Sequence, residues 1–78
     1  KQNVLSFVGV TDNNHDGQVS FMDAVESFHQ DSPNGNIEIT LQNKSTLILE
    51  NAGTVPGNDM QALQQHLESI TAELHVTK

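Results

Sequence analysis

Residues 12–23 of this 78-residue chain read Asp-Asn-Asn-His-Asp-Gly-Gln-Val-Ser-Phe-Met-Asp. Oxygen-bearing side chains recur at alternate positions, Asp12, Asn14, Asp16, Gln18 and Ser20, and Asp23 closes the run three residues later. A tightly wound loop turns every second side chain inward, so this spacing directs oxygens toward one point. Calcium is a hard cation that takes about six to eight oxygen ligands. Such a donor set predicts a site for a hard cation. Gly17 stands where so sharp a turn needs a residue without Cβ. The bland reading is a polar turn in which the same Asp and Asn side chains cap backbone N–H groups.

The run resembles the calcium loop of the EF-hand family over twelve consecutive positions. The resemblance makes Asp12, Asn14, Asp16, Gln18, Ser20 and Asp23 the metal ligands, with Gln18 contributing its backbone carbonyl and Ser20 acting through a water. Gly17 then takes the sixth position of the loop and Val19 the apolar eighth. Three features depart from the family. Asp23 stands where the family has Glu, which shortens the reach, lowers the expected affinity or shifts preference toward magnesium. Ala24 follows the loop where a large apolar residue is usual, and the segment before the loop does not read as an entering helix. In these respects the loop is similar to those of bacterial dockerin-type modules and other EF-hand-like loops rather than intracellular sensors. No second loop follows. Residues 30–41 put Gly35 and Ile37 at the sixth and eighth positions, but Gln30 and Leu41 stand where acids are needed. Sensor-like cooperative opening is therefore not expected.

Other chemistry is thin. His15, His29, His66 and His75 form neither an HxxxH nor an HExxH pattern, and His15 falls at a non-ligand position of the loop. The serines lack a nucleophile-elbow context and there is no Gly-rich phosphate loop. Asp12, Asp16 and Asp23 as a hydrolytic acid pair explain their own spacing less well than cation binding does, so a non-catalytic protein is expected. Three lysines and no arginine stand against ten acids, for a net charge of -7. A phosphate-binding surface needs clustered cations, which makes nucleic acid and anionic membrane poor partners. No apolar run approaches the roughly 18 residues of a membrane span. There is no cysteine, hence no disulfide frame and no thiolate zinc site. Asn43-Lys44-Ser45 is a glycosylation sequon. The chain begins with Lys1 rather than Met, which reads as a processed product or an excised domain, and the setting leans to the extracellular space or cell surface.

The elements that must position the loop follow from periodicity. Residues 3–10 are rich in β-branched residues and apolar around a whole helical wheel, which favours a strand. Ser20 with Asp23 three residues on is a capping-box-like start. Phe21, Ala24, Val25 and Phe28 recur at helical spacing and predict a helix over 21–30, ended by the turn 31–35. Ile37, Ile39 and Leu41 alternate with polar residues, as do Leu47 and Leu49 after the break at 43–45. This predicts a hairpin with a three-residue loop that sets Leu41 opposite Leu47 and Ile39 opposite Leu49. Residues 51–57 read as a linker. Asn58 is the expected N-cap of a helix whose stripe, Met60, Leu63, Leu67, Ile70 and Leu74, is expected to be core, and a short last strand is expected from Ala72. The order is the β-α-β-β-α-β of a two-layer ferredoxin-like α+β sandwich, similar in layout to regulatory domains of the ACT type. An EF-hand helix–loop–helix followed by a hairpin and a helix is the alternative. Either way residues 1–78 form one domain. The function expected is calcium binding by a module of a larger assembly. The competing class is a regulatory domain that binds a small molecule or a partner and carries an incidental acidic loop.

Overall fold

The computed structural model describes residues 3–31 and 35–78. The elements run β1 (Val4–Phe7), α1 (Phe21–Ala24), β2 (Val25–Asp31), β3 (Asn36–Leu41), β4 (Thr46–Leu49), α2 (Met60–Ile70) and β5 (Glu73–Val76). They form two sheets, a parallel pair β1–β5 and an antiparallel triplet β2–β3–β4. The architecture is α+β, with both sheets and α2 closing on one core. Its buried members come from every element except β4 and β5, and include Phe7, Phe21, Val25, Ile37, Ile39, Leu63 and Leu67. The Phe7 and Phe21 rings meet edge to face at 5.8 Å, which ties β1 to the start of α1 across the intervening loop.

The ferredoxin-like sandwich does not form. In that layout the first and last strands are antiparallel neighbours in a single sheet, and two helices make the second layer. Here the first and last strands are parallel, the sheet is divided, and α1 is a single turn. The helix–loop–helix alternative does not form either, because a strand enters the loop. The helix expected over 21–30 stops at Ala24, and the chain continues as β2. A bulge between Val25 and Ser27 explains the helical look of this stretch. One extra residue in the strand brings Val25 and Phe28, three apart, to the same inward face. A strand with a bulge thus carries the i, i+3 spacing that otherwise signals a helix. Pairing with β3 along the whole of 25–31 satisfies backbone groups that a ten-residue helix would have satisfied internally. The part of the expected turn at 32–34 lies outside the described residues.

The hairpin loop has three residues as expected, but it is Gln42-Asn43-Lys44. Leu41 N–H donates to the Ser45 carbonyl at 2.8 Å, and Ile39 faces Leu47 while Ile37 faces Leu49. Asn43 Oδ1 accepts from Ser45 N–H at 2.9 Å, and Lys44 takes the left-handed conformation, φ 74°. This is the geometry of a turn followed by a one-residue bulge. Lys44 also pairs with Glu26 of β2. The shift preserves parity, so the apolar residues of β3 and β4 still share a face.

Residues 51–57 do more than link. Ala52 and Val55 are buried, and the Gln30 side chain clamps Val55 at both ends. Its Oε1 accepts from Val55 N–H at 2.8 Å and its Nε2 donates to the Val55 carbonyl at 3.2 Å. The His66 ring of α2 lies 2.6 Å from the Ala52 carbonyl. Helix α2 is capped by Asp59 rather than Asn58, with Asp59 Oδ1 accepting from Ala62 N–H at 2.7 Å. Along its stripe Leu63 and Leu67 are fully buried, and Met60 and Ile70 pack partly against the core; the helix ends at Ile70, so Leu74, expected on the same stripe, packs partly against the core from β5 instead.

Candidate functional site

The loop between β1 and α1 is wound around its own carboxylates. Asp12 Oδ2 accepts from Gly17 N–H at 2.7 Å and Oδ1 from Asp16 N–H at 3.3 Å. To bring those amides back over Asp12 the chain must reverse, and it does so with His15 at φ 58° and Gly17 at φ 86°. A Cβ on Gly17 would meet nothing within 4 Å, so glycine is needed there for its φ and not for space. Asp16 Oδ1 in turn accepts from Gln18 N–H at 2.9 Å.

The far end is fixed differently. Asp23 is buried, 6% exposed, on the single turn α1. Its Oδ2 accepts from Ser20 N–H at 2.9 Å, and Asp23 N–H donates to the Ser20 carbonyl at 3.0 Å. Its Oδ1 accepts from Asn13 N–H at 3.2 Å, and Asn13 Nδ2 returns a bond to the Asp23 carbonyl at 3.3 Å. Asp23 therefore staples the entrance of the loop to its exit. Lys78 Nζ donates to the Gly17 carbonyl at 3.0 Å, which lays a positive charge on the outside of the loop.

The expected ligands divide accordingly. Asp12 and Asp16 are joined by a hydrogen bond in the first half, and Ser20 and Asp23 in the second; Asn14 and Gln18 are exposed. Among the described residues, no three His, Cys, Asp or Glu side chains are grouped so as to hold a metal ion. The three carboxylates are engaged by N–H donors instead, though a carboxylate has about four acceptor sites and each keeps some of them. The donor chemistry, carboxylate, amide and hydroxyl oxygen throughout, fits a hard divalent cation and not a soft one. The Asp12 carboxyl is held below its ordinary pKa. Desolvation is the largest influence and pushes it up, but hydrogen bonds from the backbone of Gly17, Asp16 and His15 and from the Asp16 side chain together outweigh it.

Two participants were not legible as such. Asn13 occupies a position that the loop spacing leaves without a role, although Asn at a turn is a known partner for nearby backbone. Lys78 lies 61 residues from Gly17, and nothing local in the sequence connects the two. The chain matches no family model, no curated protein and no solved structure.

Proposed function

We propose that the chain is a non-catalytic calcium-binding module in which the ion orders the loop 12–23 between β1 and α1, as one part of a larger extracellular or cell-surface assembly. The observation that supports this best is the winding of the loop about Asp12, with Gly17 and Asp16 amides turned inward and Gly17 in the left-handed region. That winding is the backbone arrangement that alternating oxygen donors require. Asp12, Asn14, Asp16, Gln18, Ser20 and Asp23 would supply the oxygens, Gln18 through its carbonyl and Ser20 through a water. Magnesium is the competing ion, because Asp23 is a short closing ligand. The regulatory-domain reading leaned on a ferredoxin-like layout, and the divided sheet with parallel β1 and β5 removes that support.

The test is a calcium titration of the chain followed by amide NMR. Shifts centred on residues 12–23, saturating with Kd on the order of 10⁻⁵ to 10⁻³ M, are expected for a single loop closed by Asp. An unchanged spectrum at millimolar calcium would reject the proposal.

A further inference from the structure

The two sheets leave a slot between them. Each of two cavities, of about 510 and 290 Å³, is walled on one side by β1 and on the other by β4. Ser6 and Phe7 stand across the first from Thr46 and Leu47, and Val4 and Leu5 across the second from Ile48 and Leu49. The strands therefore run side by side in opposite directions along the slot without pairing, since among the described residues β1 pairs with β5 and β4 with β3, and neither with the other.

Both strands present an open hydrogen-bonding edge to this slot. The carbonyls of Asn3 and Phe7 accept from Ala72 and Thr77 on the β5 side. By the two-residue period of a strand, the backbone groups of Val4 and Ser6 point the other way. On β4, the bond from Leu41 N–H to the Ser45 carbonyl makes the facing pairs Ile39–Leu47 and Ile37–Leu49 the bonded ones. The backbone groups of Thr46 and Ile48 then point into the slot. Natural sheets protect such edges with Lys, Pro or bulges, and Val4–Phe7 and Thr46–Leu49 contain no Lys or Pro. Instead the slot is flanked by three of the most exposed large apolar side chains, Val4 at 55%, Val8 at 75% and Ile48 at 56%.

We propose that this slot receives an extended peptide with basic ends, inserted as a strand between β1 and β4, which would join the two sheets into one. Insertion satisfies two edges at once, and alternate apolar side chains of the guest would cover Val4 and Ile48 outside and Leu5 and Leu47 inside. Charge selects the guest. Among the described residues the charged ones that line the slot are both acidic, the exposed Glu50 in one cavity and Asp23, buried and bonded to Asn13 and Ser20, in the other, while Lys44 and Lys78 are held by Glu26 and the Gly17 carbonyl and the chain carries a net charge of -7. The four-residue strands set the paired length at about 13 Å, with a cation at each end.

The test uses a synthetic peptide of about nine residues, with lysine at both ends and valine at alternate interior positions, against a twin carrying glutamate at the ends. It is run in chelator, so that its outcome is independent of calcium. The amides of Val4, Ser6, Thr46 and Ile48 are expected to exchange quickly in the free chain and slowly with the lysine peptide. The glutamate peptide should bind at least severalfold more weakly, and Glu50→Lys should weaken the lysine peptide by roughly two- to fivefold. Ser6→Pro deletes an N–H that faces the slot and spares the bonds to β5, so it should abolish protection at Ile48. If that variant does not fold, Glu50→Lys, an exposed substitution, decides alone. The proposal is overturned by three results: no binding, equal binding of both peptides, or slow exchange of these amides without peptide. The last would mean that β1 and β4 zip together or, if it rises with protein concentration, that a second copy fills the slot.

Discussion

At the scale of single residues, the loop separates side chains that hold it from side chains that pass by. Asp12 and Asp16 each bind backbone amides of the loop, whereas His15 contributes its left-handed φ and its ring is exposed. Asp12→Ala or Asp16→Ala is therefore expected to abolish calcium binding in calorimetry, and His15→Ala to leave it nearly unchanged. Equal losses at positions 12 and 15 would mean that the ligand register is wrong. The lowered pKa of Asp12 has a sign that can be measured. A depressed carboxyl stabilises the folded chain fully above the unfolded value, near 4, and that contribution disappears as pH falls through the lower folded value. Carbon NMR of the Asp12 carboxyl, in chelator, should show a midpoint below that of a reference peptide; a midpoint at or above it contradicts the bonds to Gly17 and Asp16. The oxygen donors and the glycine were legible because each acts through its neighbours in sequence. Asn13 and Lys78 were not, since what they do depends on where Asp23 and the last residue of the chain are carried by the fold.

At the scale of elements, the same distinction governs what could be read. The stripe of α2 and the alternation of β3, β4 and β5 involve one partner surface each, and the sequence pattern carries them directly. The stretch 21–30 does not, because a bulge gives β2 the spacing of a helix. Its strand character comes from β3, a partner that only the folded chain supplies. The linker 51–57 is similar: Val55 is buried because Gln30, 25 residues away, meets both its backbone groups. Gln30→Ala leaves a partly buried N–H and carbonyl without that partner, and should cost roughly 1–3 kcal/mol in urea melts. A loss below a few tenths would show that the clamp is decorative. The cap of α2 offers a cleaner comparison between neighbours. Asp59→Ala should cost about 1 kcal/mol, since it removes the acceptor of Ala62 N–H, and Asn58→Ala should cost little. The reverse order would move the helix start back by one residue, to where the sequence pattern alone places it.

At the scale of the whole molecule, the question is what three carboxylates cost a chain of net charge -7 with two small sheets. Asp12, Asp16 and Asp23 fall within one loop, and the ammonium of Lys78 beside Gly17 offsets one charge of three. A bound calcium ion would cancel the remaining two. A domain of this size buries only about 60% of its unfolded surface, so its stability margin is narrow. The loop also joins β1, and through it β5, to α1 and the triplet, with the Phe7–Phe21 contact at its base. Ordering the loop thus acts on the junction between the two sheets and not on a peripheral turn. A ligand that binds only the native state adds RT ln(1 + [L]/Kd), about 2.7 kcal/mol at a hundredfold excess over Kd. For a domain of this length each kcal/mol moves the midpoint by roughly 4–8 °C, so calcium is expected to raise Tm by several degrees or more. Converting Asp12 and Asp16 together to Asn should remove that response while slightly lowering the Tm in chelator, because the amides of Gly17 and Asp16 favour the ionised Asp12 carboxyl in the folded chain. The measurement is a pair of thermal melts, in chelator and in millimolar calcium, on the parent and the double variant. Identical midpoints for the parent in both buffers would exclude a structural role for calcium. A double variant more stable than the parent in chelator would show instead that the charges at 12 and 16 oppose one another more than they are held by the amides they bind.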